Sequence, residues 1–160
     1  MDKGMAIGPK RIVIFRHAEK PASRKPHLAV RGEMRAIGLS KLLPKIVCPD
    51  FVFASTSTRN SARPYETVRP TADKMRLDVS TMYADKDTKK LVKELRKKKF
   101  RGKTVLICWH HGKIDKLIHE LGYQSPYDRW PDELFDRIIN IDANGITNLP
   151  QQLLFGDADK

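Results

Sequence analysis

Short apolar runs alternate along this chain with segments whose apolar residues recur at helical spacing. Ile12-Val13-Ile14-Phe15, Phe51-Val52-Phe53-Ala54 and Thr104-Val105-Leu106-Ile107-Cys108-Trp109 read as strands covered on both faces, and Ile138-Ile139-Asn140-Ile141 as a further strand. Between them, Val30, Met34 and Ile37 fall at helical spacing. Leu42 and Leu43 continue that apolar side until Pro44, which predicts the helix end. A second helix is expected from Pro64, since proline suits a first turn, and a third behind Thr88 carries Leu91, Val92 and Leu95. Ile114, Leu117, Ile118 and Leu121 follow the i, i+3, i+4, i+7 pattern, so a fourth helix should run from His111 to Gly122. His119 lies off that stripe and reads as a surface residue.

Residues 77–82 predict a short strand, 19–27 an overhanging loop, and 151–160 no definite element. With no internal repeat and no linker, residues 1–160 read as one domain. Strand and helix in alternation imply a three-layer α/β/α sandwich with a mainly parallel central sheet.

Two of these strands end in histidine. Arg16-His17 follows the first apolar run and His110-His111-Gly112 follows the third, which delivers both to the carboxyl edge of the sheet, where α/β proteins bind ligands. One imidazole to attack phosphorus, with cationic donors to hold the transferring oxygens, is what a phosphohistidine enzyme needs. His17 is the candidate nucleophile and Arg16 a forked donor that lysine would not replace.

Ile12-Val13-Ile14-Phe15-Arg16-His17-Ala18-Glu19 resembles the Arg-His-Gly or Arg-His-Ala signature of the histidine phosphatase superfamily, which includes the phosphoglycerate mutases. Leu28-Ala29-Val30-Arg31-Gly32-Glu33-Met34-Arg35-Ala36 is similar to the family's first helix, usually Leu-Thr-x-x-Gly-x-x-Gln-Ala. Arg63-Pro64-Tyr65-Glu66-Thr67 is similar to its Arg-Ala-x-x-Thr segment, and His111-Gly112 falls where its second histidine is expected. Trp130-Pro131-Asp132-Glu133-Leu134-Phe135-Asp136-Arg137 resembles the tail of small bacterial members. The resemblance spans residues 11–122 in the family's order, which is more specific than any one motif.

The family pattern has a serine four residues before its second arginine and a threonine four after. Here Ser55 suits Arg59 and Thr67 suits Arg63. Arg63 is preferred, with 56–62 a lengthened loop and Arg59 a secondary phosphate contact or a solvated charge. His111 is preferred over His110 because Gly112 follows it, and strand alternation should turn the two rings apart. For leaving-group protonation the resemblance points to a loop carboxylate, Asp85 or Asp87. Glu19 is nearer His17 in sequence but can instead pair with a neighbouring cation.

A net charge of +12 raises a different class of function. Lys89, Lys90, Lys93, Arg96, Lys97, Lys98, Lys99, Arg101 and Lys103 would follow a polyanion, yet no aromatic residues interleave them, so nucleic acid is not expected as a specific partner. Gly102-Lys103-Thr104 lacks the preceding glycine and following helix of a phosphate loop. Cys48 and Cys108 form no metal or redox motif and should be free thiols. Without an apolar signal segment in residues 1–10 or a bilayer-length run, a cytoplasmic protein without a membrane span is expected.

The sequence therefore predicts a metal-independent phosphatase without cofactor, with His17, Arg16, Arg63 and His111 catalytic and Arg59, Glu19, Asp85 and Asp87 around the substrate. A 160-residue chain suits a small, open site for a phosphoprotein or simple phosphomonoester. The alternatives are a mutase-type phosphotransferase and a noncatalytic polyanion-binding module.

Overall fold

The computed structural model describes residues 8–160. Residues 1–7, most of the segment read for a signal peptide, lie outside it. Six strands form one sheet: β1 (Arg11–Arg16), β2 (Phe51–Ala54), β3 (Val79–Ser80), β4 (Thr104–Trp109), β5 (Arg137–Asp142) and β6 (Gly145–Pro150). Their spatial order is β3-β2-β4-β1-β5-β6. The first four are parallel, whereas β5 runs antiparallel to β1 and β6 antiparallel to β5.

Four helices cover the sheet, α1 (Val30–Ile46), α2 (Arg63–Met75), α3 (Thr88–Leu95) and α4 (His111–Glu120). Alternation along each strand sorts the core into two layers. Ile12, Ile14, Val105, Ile107 and Ile139 pack with Leu91 and Leu95 of α3 and Ile114 and Leu117 of α4. Val13, Phe15, Leu106, Cys108 and Ile138 pack with Leu39 and Leu43 of α1 and Val68 and Ala72 of α2. The expected three-layer sandwich with a mainly parallel sheet is what the chain forms. No helix among the described residues is long and apolar enough to cross a membrane. Cys48 is exposed and Cys108 buried, both as free thiols.

Three expectations about elements need correction. Val30, Met34 and Ile37 are exposed, and α1 instead buries Gly32, Arg35, Ala36, Leu39 and Leu43. Pro44 does not end α1: it sits in the last turn, where one lost backbone bond is tolerated because Leu39 and Leu43 anchor the helix. Strand β6 was not anticipated, although its turn carries the Asn144-Gly145 pair that favours hairpins. Gly145 adopts φ 110°, and the Asp142 carboxylate accepts from the Asn144 N–H.

Gly32 lets α1 approach the chain just beyond β1. A Cβ there would stand 2.3 Å from the Glu19 carbonyl oxygen and 3.0 Å from its nitrogen. Gly32→Ala would favour the helix by about 1 kcal/mol, but separating two backbone segments costs more, so a net loss of about 1–3 kcal/mol is expected. Urea unfolding checks this, and an unchanged or raised midpoint would refute the close approach.

Candidate active site

Parallel register decides which side chains meet above the sheet. Arg16 pairs with Trp109 across β1 and β4, and the His17 N–H continues the ladder to the Trp109 carbonyl at 3.0 Å. The next residue on each strand, His17 and His110, must therefore emerge side by side. Their rings meet edge to face with centroids 5.1 Å apart. The ring touching His17 thus belongs to His110 and not to His111, the histidine expected at the phosphate. His111 opens α4, and its Nε2 lies 3.0 Å from Asp132 Oδ1.

His17 is 2% exposed, and its Nδ1 lies 2.7 Å from the Ala18 carbonyl oxygen. A carbonyl only accepts, so Nδ1 carries the proton and Nε2 keeps its lone pair. Burial drives the imidazole pKa from 6.5 down to about 2. The Ala18 bond opposes this, and the charges of His110, Arg16 and Arg63 add to it. The ring is thus neutral at pH 7. The Ala18 N–H is held in turn by Thr67 Oγ1 at 2.9 Å, and that hydroxyl donates to the Arg63 carbonyl at 2.7 Å. Thr67, known from sequence only as part of a motif, thereby ties the turn after β1 to α2.

Arg16 is fully buried. One of its nitrogens, Nη1, donates to the carbonyls of Asp132 at 2.6 Å and Leu134 at 3.1 Å, while its Cζ stacks 3.7 Å from the Phe135 ring centre. Its Nε and Nη2 are buried and have no partner among the described residues. Burial lowers its pKa to about 10, opposed by Asp132, Glu133 and Glu19, so the guanidinium stays charged at neutral pH. Buried donors are nearly always satisfied, and a charged pair of them on one guanidinium edge suits a tetrahedral anion. Sequence reasoning missed Phe135 and the carbonyls of 131–134, whose only signal was the resemblance of that tail.

Arg63 occupies the first turn of α2, with Nη1 on the Lys25 carbonyl at 2.9 Å and Nε without a partner among the described residues. Burial lowers its pKa, against the charge of Glu66. It acts electrostatically on His17, Arg16 and His110 alike. Arg59 is exposed in the turn between Thr58 and Ser61 and is not among the charges that reach those groups.

His110 caps α4. Burial lowers its pKa to about 4, with Asp85 opposing and Arg63, His111 and Arg16 adding. His111 is also lowered, by burial and then Arg16, while Asp132 opposes. Of the two loop carboxylates, Asp85 reaches His110 electrostatically, whereas Asp87 caps α3 and pairs with Lys90 at 3.8 Å.

Glu19 takes the second of its two expected roles, pairing with cations. Its carboxylate receives Arg35 Nε at 2.8 Å, Arg35 Nη2 at 3.0 Å and Arg31 Nε at 3.0 Å. Arg35 also holds Asp157 at 2.7 Å and Gln151 at 2.9 Å. Burial opposes the Arg35 charge, but those hydrogen bonds outweigh it and raise the pKa; Asp157 is held down at about 2. Glu19 thus fastens the turn beyond His17 to α1 and the final segment. Among the described residues no group of three or more His, Cys, Asp and Glu side chains could hold a metal ion.

The two depressed histidines have a consequence for stability. Their folded pKa values lie below the 6.5 of the free ring, so the unfolded chain binds the extra protons. Their neutral burial supports folding fully above about pH 6.5, and this is lost as pH falls through 6.5 towards about 4 for His110 and about 2 for His17, each ring contributing up to about 1.4 kcal/mol per pH unit. Denaturant unfolding of His17→Gln in phosphate-free buffer should show a shallower acid-side fall than wild type. An identical slope would contradict the buried neutral ring.

No protein-family model matches the chain, and no curated protein matches it by sequence. Solved structures do match. A mycobacterial glucosyl-3-phosphoglycerate phosphatase in complex with inorganic phosphate superposes with a TM-score of 0.59 at 16% identity, covering 88% of this chain and 95% of its own. The protein histidine phosphatase SixA complexed with tungstate gives 0.59 at 16%, covering 88% and 97%. A phosphoglycerate mutase from Bacillus anthracis gives 0.59 at 14%, covering 90% and 93%. The chain therefore shares its fold with a solved phosphoglycerate mutase and with two solved phosphatases.

Proposed function

We propose that this chain is a histidine phosphatase that hydrolyses phosphomonoesters through a phosphohistidine on His17. The observation that carries this reading is the committed tautomer of His17: its Nδ1–H is spent on Ala18, which leaves the Nε2 lone pair as a nucleophile beside the unpartnered Nε and Nη2 of Arg16. The fold shared with structures of a phosphate-bound phosphatase and of SixA supports the same reading.

In the first step the Nε2 lone pair attacks phosphorus in line and the ester P–O bond breaks. Charge on the equatorial oxygens is met by Arg16, by Arg63 and by His110, with the N-terminal turn of α4 adding its dipole. The proton that a phosphate monoanion brings into the site passes by way of the Asp85 carboxylate, which acts electrostatically on His110, to the leaving oxygen. Water then attacks the phosphohistidine, Asp85 takes the proton, the P–N bond breaks, and phosphate departs from a regenerated neutral ring. The Ala18 carbonyl steadies the Nδ1–H while the phosphorylated ring carries extra positive charge. His111 acts one step removed, fastened to Asp132. Arg59 and Asp87 serve the protein surface and the start of α3.

A chromogenic phosphate ester tests this assignment. His17→Ala should abolish turnover while the fold is retained. His110→Ala and Arg63→Ala should each lower kcat by about two orders of magnitude or more, as for removal of a donor to transition-state charge. His111→Ala and Arg59→Ala should cost less, and Asp85→Asn should slow alkyl phosphates more than esters with a good leaving group. Full activity in His17→Ala would remove the nucleophile. A greater loss in His111→Ala than in His110→Ala, or in Arg59→Ala than in Arg63→Ala, would overturn that half of the assignment.

A further inference from the structure

The loop beyond His17 closes a cavity of about 370 Å³ against the start of α2, lined by Lys20, Arg24, Lys25, Asn60 and Arg63 together with the small residues between them. No acidic side chain lines it. The nearest carboxylates in sequence are spent elsewhere, Glu19 on Arg31 and Arg35 and Glu66 on His27 and the Leu28 N–H. Lys20, Arg24 and Lys25 are exposed and form no ion pair with any described residue. Three cations with no ion-pair partner among the described residues repel one another around one small cavity, an arrangement that an anion would relieve.

Two members of the lining also carry their charge to histidines at the ends of β1 and β4. Arg63 reaches His17 electrostatically and donates to the Lys25 carbonyl, so one guanidinium spans both places. Lys20, after burial and Arg16, acts on His111. The cavity is large enough for one small ligand group, and Asn60 adds a polar side chain to its lining.

We infer that this cavity is a second anion subsite, which seats a phosphate or carboxylate carried by the same substrate whose phosphoryl group faces His17. The inference rests on the phosphatase reading for where the first group sits. Substrates with two anionic groups would be bound at both ends, and simple monoesters at one. Anionic oxygens are the shared chemistry; they can come from a second phosphate on a small molecule or from an acidic residue beside a phosphorylated one.

Calorimetric titration with propylphosphonate and propane-1,3-diylbisphosphonate reads the subsite without turnover, since neither P–C bond is hydrolysed. Wild-type protein should bind the bisphosphonate about ten-fold or more tightly than the monophosphonate, well above the factor of about two expected from its two equivalent ends. The triple variant Lys20→Gln, Arg24→Gln, Lys25→Gln should bring the ratio down to about that factor of two. A control triple on and beyond α3, Lys93→Gln, Arg96→Gln, Lys98→Gln, removes the same charge and should keep the wild-type ratio. A wild-type ratio near two, or an equal loss in the control, would overturn the subsite.

Hydrolysis then separates the sources. The kcat/KM ratio for a phosphoserine peptide with Asp against Asn beside the phosphoserine, or for propane-1,3-diol bisphosphate against propyl phosphate, should collapse in the first triple for whichever source the cavity serves. Absence of turnover with the binding preference intact would refute the phosphatase reading and leave the subsite standing.

Discussion

The turn that follows β1 holds this site together. Within three residues, the Ala18 carbonyl takes the His17 Nδ1–H, the Ala18 N–H is caught by Thr67 of α2, and the Glu19 carbonyl takes the N–H of Ala29 just before α1. Gly32 of α1 packs against the same peptide at a separation that no side chain would permit. Two helices and the central strand are thereby joined at one peptide pair, and the imidazole has no freedom to choose its tautomer. The chemistry proposed for His17 depends on that lack of freedom more than on any property of histidine itself.

Charge is distributed around the turn with a division of labour. Arg35 is buried and fully engaged between Glu19 and Asp157, so it supports the turn from behind and offers nothing to a ligand. Arg16 is equally buried but only half engaged. Backbone carbonyls and the Phe135 ring fix its orientation, leaving one edge of the guanidinium charged and unpartnered. Holding a cation with neutral dipoles preserves its charge for an incoming anion, whereas a carboxylate would neutralise it. Burial meanwhile keeps His17 and His110 neutral among these cations, the state that the proposed attack by one and hydrogen-bond donation by the other require.

The strands and the Arg16-His17 position were legible because β1 and β4 are central and parallel, and such strands read as unbroken apolar runs. The packing face of α1 was not. Its buried stripe includes Gly32 and Arg35, and Arg35 is tolerated inside only because Glu19 and Asp157 arrive from distant parts of the chain. No local pattern reports a partner 122 residues away. Glu19 was expected either beside the substrate or paired with a neighbouring cation, and the cations it meets, Arg31 and Arg35, lie on α1. The choice between His110 and His111 turned on register: a following glycine favoured His111, but the in-register pairing of Arg16 with Trp109 brings His110 to His17. Register between strands almost ninety residues apart is set by the whole sheet. The β5–β6 hairpin carried a readable sign in Asn144-Gly145.

The central claim is that a neutral His17 attacks through Nε2 because Nδ1 is committed to Ala18. Phosphorus-31 and nitrogen-15 NMR of enzyme quenched during turnover, with peptide mapping of the acid-labile phosphate, reads both the residue and the ring nitrogen. The account predicts a single phosphohistidine at His17, phosphorylated on Nε2. Phosphate on His17 Nδ1, on His110, or on a hydroxyl side chain would contradict it.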